Sequence, residues 1–156
     1  MKKVLVTGAA GFIGRHTLPL LANKGYQVHG IILRGQQPLP APNTIWHEGN
    51  LLNPEDRGRL LDDIRPTHLL HFAWCTNPTT YRNADENLTW VGASLDLARE
   101  FAAAGGKRAV FAGTCFEYDT SLGVLSEATP CKPATLYGVC KNALRLIVED
   151  FFSRKG

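Results

Sequence analysis

Apolar residues fall in two patterns that take turns along this chain: short unbroken runs, and positions spaced three or four apart. Val4, Leu5 and Val6 form a run that stops at Gly8, and helical spacing follows at Phe12, Ile13, Leu18 and Leu21 until Lys24-Gly25. Unbroken runs of this length read as buried strands, and the wider spacing as amphipathic helices. The pattern therefore predicts a helix over roughly 12–24, a strand over Gln27–Leu33 and a short strand over Thr44–His47. Asn53-Pro54-Glu55 opens a helix to about Ile64, with proline at the first position and acid in the first turn. Thr67–Phe72 is a fourth strand and Arg108–Ala112 a fifth. Between them a long helix is predicted over about 81–104, its apolar face supplied by Leu88, Val91, Leu95, Leu97, Ala98 and Phe101 and its end by Gly105-Gly106. A Gly/Pro-rich loop covers 35–43, a second loop 115–133, and a last helix about 135–154. Strands alternating with helices imply right-handed crossovers and a parallel sheet covered on both faces, a doubly wound α/β fold.

Composition narrows the class. With 156 residues the chain has room for one domain and a substantial core. The net charge of +3 comes from scattered basic residues with no basic-aromatic stripe, which argues against nucleic acid as a partner. Cys75, Cys115, Cys131 and Cys140 form no C-x-x-C pair and no metal-ligand spacing with histidine, so they read as reduced thiols in a cytoplasmic protein. The opening MKKVLVTGAAGFIG superficially resembles a signal peptide, but its apolar run is short and punctured by glycines. No segment approaches the ~20 apolar residues of a membrane span.

The first chemistry lies where the first strand meets the first helix. Gly8, Gly11 and Gly14 sit at the turn, spaced G-x-x-G-x-x-G. Gly8 and Gly11 would let the backbone turn sharply and approach a phosphate, and Gly14 would let the helix pack close to the strand. The free amides around Phe12, Ile13 and Gly14, at a helix N-terminus, make a pyrophosphate site. A second feature is Tyr137-Gly138-Val139-Cys140-Lys141: tyrosine and lysine at i and i+4 share a helix face. An ammonium beside a phenol favours the phenolate and lowers the tyrosine pKa, and such a tyrosine can exchange a proton with a carbonyl or alcohol oxygen.

GAAGFIG at 8–14, HFAW at 71–74, GTCFEY at 113–118 and YGVCK at 137–141 together resemble the extended short-chain dehydrogenase/reductase family. More narrowly, they resemble its NAD-dependent epimerase/dehydratase group, which acts on nucleotide sugars. The resemblance covers essentially the whole chain. It implies an NAD(P)-binding Rossmann domain, with Tyr137 as catalytic acid/base and Lys141 as its pKa-lowering partner and ribose ligand. Thr114 matches the family's Ser/Thr that hydrogen-bonds the reacting sugar oxygen, and Asn87 matches the helix asparagine that supports the active-site network. At the end of the third strand Asn50, followed by Leu51, stands in place of the usual aspartate, its carbonyl available to the adenine amino group. The usual HxAA reads His71-Phe72-Ala73-Trp74, so an indole follows Ala73 on the expected cofactor path; Trp74 either narrows the site, stacks on a ligand or packs. His71 reads as filling a buried strand end, and Cys115 and Cys140 as bystanders.

Cofactor choice turns on the end of the second strand, where an acid would bind the ribose of NAD and an arginine the 2′-phosphate of NADP. Arg34 stands there with no acid beside it, and Arg15 follows Gly14, which favours NADP over NAD unless Arg34 is merely a solvated loop residue. The expected activity is hydride transfer at a sugar hydroxyl or keto carbon of a nucleotide-diphosphate sugar, by a reductase or epimerase. Dehydration is disfavoured because Cys115-Phe116, not an Asp-Glu pair, follows Thr114. A reductase of a non-sugar carbonyl and a non-catalytic NADP sensor are the alternatives. A homodimer through the two long helices is expected from the family. The chain stops as a helix finishes, where a six-stranded dinucleotide fold needs further sheet. It is therefore expected to be the N-terminal part of a longer enzyme, lacking the last strands and the substrate domain.

Overall fold

The structure is a computed structural model, and it describes residues 2–38, 40–41 and 43–155. Leu39 and Pro42, in the predicted 35–43 loop, lie outside the described residues, as does Gly156. Two compact units emerge, Met1–Ala73 with Asp96–Ala112, and Trp74–Leu95 with Gly113–Gly156.

The first unit holds a five-stranded parallel sheet in the order β3-β2-β1-β4-β5. Its strands are β1 (Lys3–Thr7), β2 (Gln27–Ile32), β3 (Thr44–Glu48), β4 (His68–His71) and β5 (Arg108–Phe111). In register, Leu5 of β1 faces His29 of β2 on one side and Leu69 of β4 on the other. β1 is therefore central, which is why Val4, Leu5 and Val6 are fully buried and why its sequence is an unbroken apolar run. Val4, Val6, Ala9, Leu18 and Val28 form one core cluster, joined by Leu21, Tyr26, Trp46, Leu70 and Phe72. Each such aliphatic contributes about 1.5–3 kcal/mol through burial.

Helix α1 (Phe12–Asn23) ends as its sequence directs. Gly25 takes φ of +77°, its amide bonds Ala22 O and the Tyr26 amide bonds Leu21 O, which closes the helix with a Schellman turn. Helix α2 (Pro54–Ile64) starts with Asn53 accepting the Glu55 amide at 2.8 Å. Arg57 on α2 is buried and meets Asp96 at 3.1 Å, Glu100 at 3.3 Å and the Leu51 carbonyl at 2.8 Å, so its charge is paired.

Helix α3 spans Glu86–Ala103, beginning five residues later than the apolar spacing predicts. The reason is competition for carbonyls. Asn87 Nδ2 donates to Tyr81 O at 2.6 Å and Ala84 O at 2.8 Å, and the Tyr137 amide donates to Arg82 O at 2.9 Å. The Tyr81 and Arg82 carbonyls are thus engaged outside the helix, while the Ala84 carbonyl also accepts the Asn87 amide at 3.1 Å in a tight turn, so 81–85 folds as turns. Helix α4 (Leu136–Ser153) is N-capped by Thr135, which accepts the Gly138 amide at 3.1 Å. The predicted 115–133 loop contains two 3-10 turns, Cys115–Glu117 and Thr120–Leu122, and an antiparallel bridge between Tyr118 and Cys131. No helix of the described residues is long and apolar enough to cross a membrane.

Candidate active site

In the first unit the glycine turn has the shape the spacing predicts. Gly8 adopts φ of +63°, and a Cβ there would lie 2.8 Å from the Ala73 amide nitrogen. At Gly14 a Cβ would lie 2.2 Å from the Gly8 carbonyl oxygen, so only glycine lets α1 pack onto the turn. Gly11 is the N-cap of α1 in extended conformation, with no side-chain cap and no acid in the first turn. The helix thus presents its N-terminal amides, from Phe12, Ile13 and Gly14, without a competing side-chain acceptor. Phe12 and Ile13 are exposed. Thr7 fixes the end of β4 behind this turn: its hydroxyl bonds His71 Nδ1 at 2.8 Å and accepts the Phe72 and Ala73 amides, each at 3.2 Å. His71 is buried at the strand end, as expected.

Arg34 is placed otherwise than the sequence implies. Its side chain is 72% exposed, but Nη2 lies 3.1 Å from Asp56 Oδ1. Asp56 also accepts the Asn50 amide at 2.9 Å and Arg59 Nη2 at 3.1 Å. The Asn50 amide foremost, then Arg59 and Arg34, hold the Asp56 carboxyl down at about 2, so it is an anion. Arg34 is therefore not a free phosphate clamp. Asn50 Oδ1 accepts the Leu52 amide at 3.0 Å, so the carbonyl expected to be open for an adenine amino group is engaged in a local turn. Leu51 is buried. Arg15 is exposed, 5.3 Å from the Phe12 ring centroid.

The second unit gathers Tyr137, Thr114, Lys141, Asn87 and Trp74. Tyr137, in the first turn of α4, sits among aromatic rings: Tyr81 at 5.0 Å, Phe116 at 6.1 Å and Trp74 at 6.4 Å between centroids. Burial pushes its phenol above the usual value, while a hydrogen bond from Thr114 pulls the other way. Thr114 is held by a capping box, its hydroxyl accepting the Phe116 amide at 3.4 Å and its amide donating to Glu117 Oε1 at 2.6 Å. Glu117 is buried, with Arg145 Nε 3.5 Å from its second oxygen. Gly138 brings α4 against this turn, since a Cβ there would lie 2.2 Å from the Phe116 carbonyl oxygen.

Lys141 has a neighbour that the spacing does not predict: its Nζ lies 4.4 Å from the Trp74 ring centroid, over its face. The lysine is 5% exposed, and burial brings its pKa down to about 8 despite the opposing charge of Glu117. Asn87 is fully buried: Oδ1 accepts Trp74 Nε1 at 2.8 Å, while Nδ2 serves the two carbonyls that end the 81–85 turn. Trp74 also stacks on Trp90, 6.0 Å between centroids at 30°. Of the readings left open for Trp74, packing against the site's own residues is the one these contacts show.

A family model, the NAD dependent epimerase/dehydratase family, matches residues 4–156. The chain belongs to that family. It is 31% identical over 154 residues to dTDP-6-deoxy-L-talose 4-dehydrogenase (NAD(+)) of Aggregatibacter actinomycetemcomitans, covering 96% of this chain and 55% of that protein. To the UDP-glucose 4-epimerase of Neisseria meningitidis serogroup C it is 30% identical over 168 residues, covering 96% of this chain and 48% of that one. Among solved structures, the UDP-glucose 4-epimerase of Thermus thermophilus in complex with NAD superposes with a TM-score of 0.78 at 25% identity, covering 97% of this chain and 51% of that one. The chain spans about half the length of the curated relatives it matches.

Within this family member, sequence reasoning missed Asp56, Glu117 and Tyr81. Asp56 was visible only as a first-turn acid, and its role as the partner of Arg34 follows from tertiary approach. Glu117 carried a signal that was available, since Thr114-x-x-Glu117 is the spacing of a capping box.

Proposed function

We propose that this chain is the cofactor-binding and proton-transferring part of an enzyme that oxidises or reduces a carbon of a nucleotide-diphosphate sugar. The observation that carries the reading is the placement of Tyr137 at the start of α4, ringed by Tyr81, Phe116 and Trp74. The names of the relatives, a dTDP-sugar dehydrogenase and a UDP-sugar epimerase, support the substrate class.

The first unit fits a nicotinamide dinucleotide. Gly8 and Gly14 leave no room for a Cβ, and no side chain competes for the α1 N-terminus, so this turn would hold a pyrophosphate. When bound, the nicotinamide supplies the hydride chemistry. The protein's own groups do the rest. Tyr137, kept protonated by burial, holds a proton to give to a sugar keto oxygen, and in the reverse direction takes one from the hydroxyl. Thr114 bonds the phenol oxygen and steadies the phenolate as it forms. Lys141 supplies positive charge and three N–H donors close to that step. Trp74, Tyr81 and Phe116 shield part of the half-buried Tyr137 from water.

For the cofactor's ribose, the engagement of Arg34 with Asp56 and the NAD in the solved relative support NAD; only the exposure of Arg34 supports NADP. The exposed apolar residues Leu88 on α3 and Val139, Leu146 and Ile147 on α4 support a homodimer through those helices.

Tyr137→Phe tests the reading. NADH binding, followed by energy transfer from tryptophan, should stay within about threefold of the unaltered protein. Turnover of UDP- and dTDP-hexoses, read at the nicotinamide absorbance, should fall by about 100-fold or more. A variant that keeps its turnover removes Tyr137 from the chemistry. Failure of the unaltered chain to bind NADH or NADPH removes the cofactor assignment.

A further inference from the structure

Lys141 is a buried cation with an unusual partner. Among the described residues no carboxylate pairs with it and no hydrogen bond to its Nζ is formed. What meets the ammonium is the face of Trp74, 4.4 Å from the ring centroid. That ring is held on two sides: its Nε1–H donates to Asn87 Oδ1 at 2.8 Å, and its plane stacks on Trp90 at 30°. A buried ammonium is normally neutralised by a carboxylate, which consumes its donors and holds them in one direction. An indole face attracts the charge through its quadrupole and leaves the donors unspent. The acid whose charge acts on Lys141 is Glu117, whose two carboxylate oxygens already meet the Thr114 amide and Arg145.

We propose that Trp74 is a positioning residue for Lys141, its locked indole face standing in for a carboxylate so that the lysine stays charged and placed with its hydrogen-bond donors free. The importance of this for turnover rests on the function proposed above; the geometry does not. The lowered pKa of Lys141 fits the arrangement, because burial works against the charge and a quadrupole only partly offsets it.

The first test needs no substitution. In the free protein the Lys141 ε methylene protons, on the carbon bonded to the Nζ that lies over the indole, should resonate upfield of those of exposed lysines such as Lys132 by several tenths of a ppm or more. Lys141 methylenes at ordinary lysine positions overturn the proposal. The second test follows the Lys141 amine through its titration by NMR, or by competitive amine labelling and mass spectrometry, in Trp74→Leu and Trp74→Phe. Leucine keeps the site apolar but lacks the ring face, so the Lys141 pKa should drop by roughly half a unit to one unit. Phenylalanine should restore most of that drop. Equal pKa values in the unaltered protein and in Trp74→Leu overturn the proposal, as does a Trp74→Phe variant no different from leucine. NADH binding is measured on the same samples. Loss of binding in the unaltered protein counts against the cofactor assignment alone, whereas the two lysine measurements decide the role of Trp74.

Discussion

Arg34 and Asp56 meet at 3.1 Å, joining the end of β2 to the first turn of α2. The guanidinium at the expected ribose position is thus directed by an anion whose charge is itself fixed by the Asn50 amide and Arg59. A 2′-phosphate would approach that carboxylate as well as the arginine. NADH should therefore bind at least as tightly as NADPH, and Arg34→Ala should change either affinity by less than about threefold. Because the pair is largely solvated on the arginine side, the same substitution should leave the urea midpoint nearly unchanged. Tryptophan-to-nicotinamide energy transfer decides the first point. A preference for NADPH of tenfold or more, lost in Arg34→Ala, would show that the arginine leaves Asp56 for the phosphate.

This pairing also shows what local sequence carries and what it does not. The five strands were legible because each is a short apolar run in a parallel sheet, and α1 and α2 because Gly25, Asn53 and Pro54 act within their own turns. The glycine turn was legible for the same reason. The start of α3 was not, because the Tyr81 and Arg82 carbonyls are taken by an asparagine side chain and by an amide from α4. Thr114, Tyr137 and Lys141 were named by motif, but the contact of Lys141 with Trp74 was not anticipated. Helical spacing sets which face a lysine shares with Tyr137, whereas Trp74 reaches it from a distant part of the chain.

The glycine turn gives a second prediction. A Cβ at Gly14 would lie 2.2 Å from the Gly8 carbonyl oxygen and 2.7 Å from Ala9 Cα, both backbone atoms that cannot turn aside. Gly14→Ala should cost about 3 kcal/mol or more and abolish NADH binding. Gly92, in the interior of α3, has nothing within 4 Å of its ideal Cβ. Gly92→Ala should therefore stabilise the protein by about 0.5–1 kcal/mol and leave binding unchanged. Urea midpoints and energy transfer report both. A Gly14→Ala protein of unaltered stability would mean that α1 can move off the turn.

His29 and His47 give the chain a pH dependence of known sign. Their rings stack on β2 and β3 with His29 Nδ1 2.9 Å from His47 Nε2, so the pair accommodates at most one proton at that contact. Burial foremost, then His47 and Lys3, lowers the His29 pKa to about 4; His47, faced by Asp63 and Arg59, is also lowered, chiefly by burial. Between that value and the ordinary 6.5 the unfolded chain binds a proton that the folded chain refuses. Stability is then fully present above about pH 6.5 and is lost as the pH falls toward 4, by on the order of 2 kcal/mol. The loss from Asp56, whose pKa is about 2, falls in the separate window below pH 4. Urea melts from pH 7.5 to 4.5 should show the decline in the native protein and a clearly smaller one in His29→Val, the remainder coming from His47 and His68, which burial also lowers. A slope that survives the substitution undiminished would place the titrating group elsewhere.

Asn87 offers the sharpest test of the second unit. It is fully buried, and a single side chain serves four partners there: the Trp74 indole N–H, the Cys75 thiol at 3.7 Å, the Tyr81 carbonyl and the Ala84 carbonyl. Asn87→Ala leaves the Trp74 N–H and the Tyr81 carbonyl without this partner, while the Ala84 carbonyl keeps the backbone amide of residue 87; each uncompensated group costs about 1–3 kcal/mol, with water entering the gap offsetting part of the sum. A loss of about 3 kcal/mol in urea is expected. Asn87→Asp keeps an acceptor for Trp74 but turns a carboxylate toward two carbonyl oxygens, so it should rescue little. The two substitutions separate packing from pinning through Lys141. In Asn87→Ala the indole loses its anchor and the ammonium loses its fixed partner, so the Lys141 methylene shifts should move toward those of free lysines while α4 keeps its helical signals. Stability loss without that movement would make Asn87 the clasp of the 81–85 turn alone, with Trp90 sufficient to hold the ring.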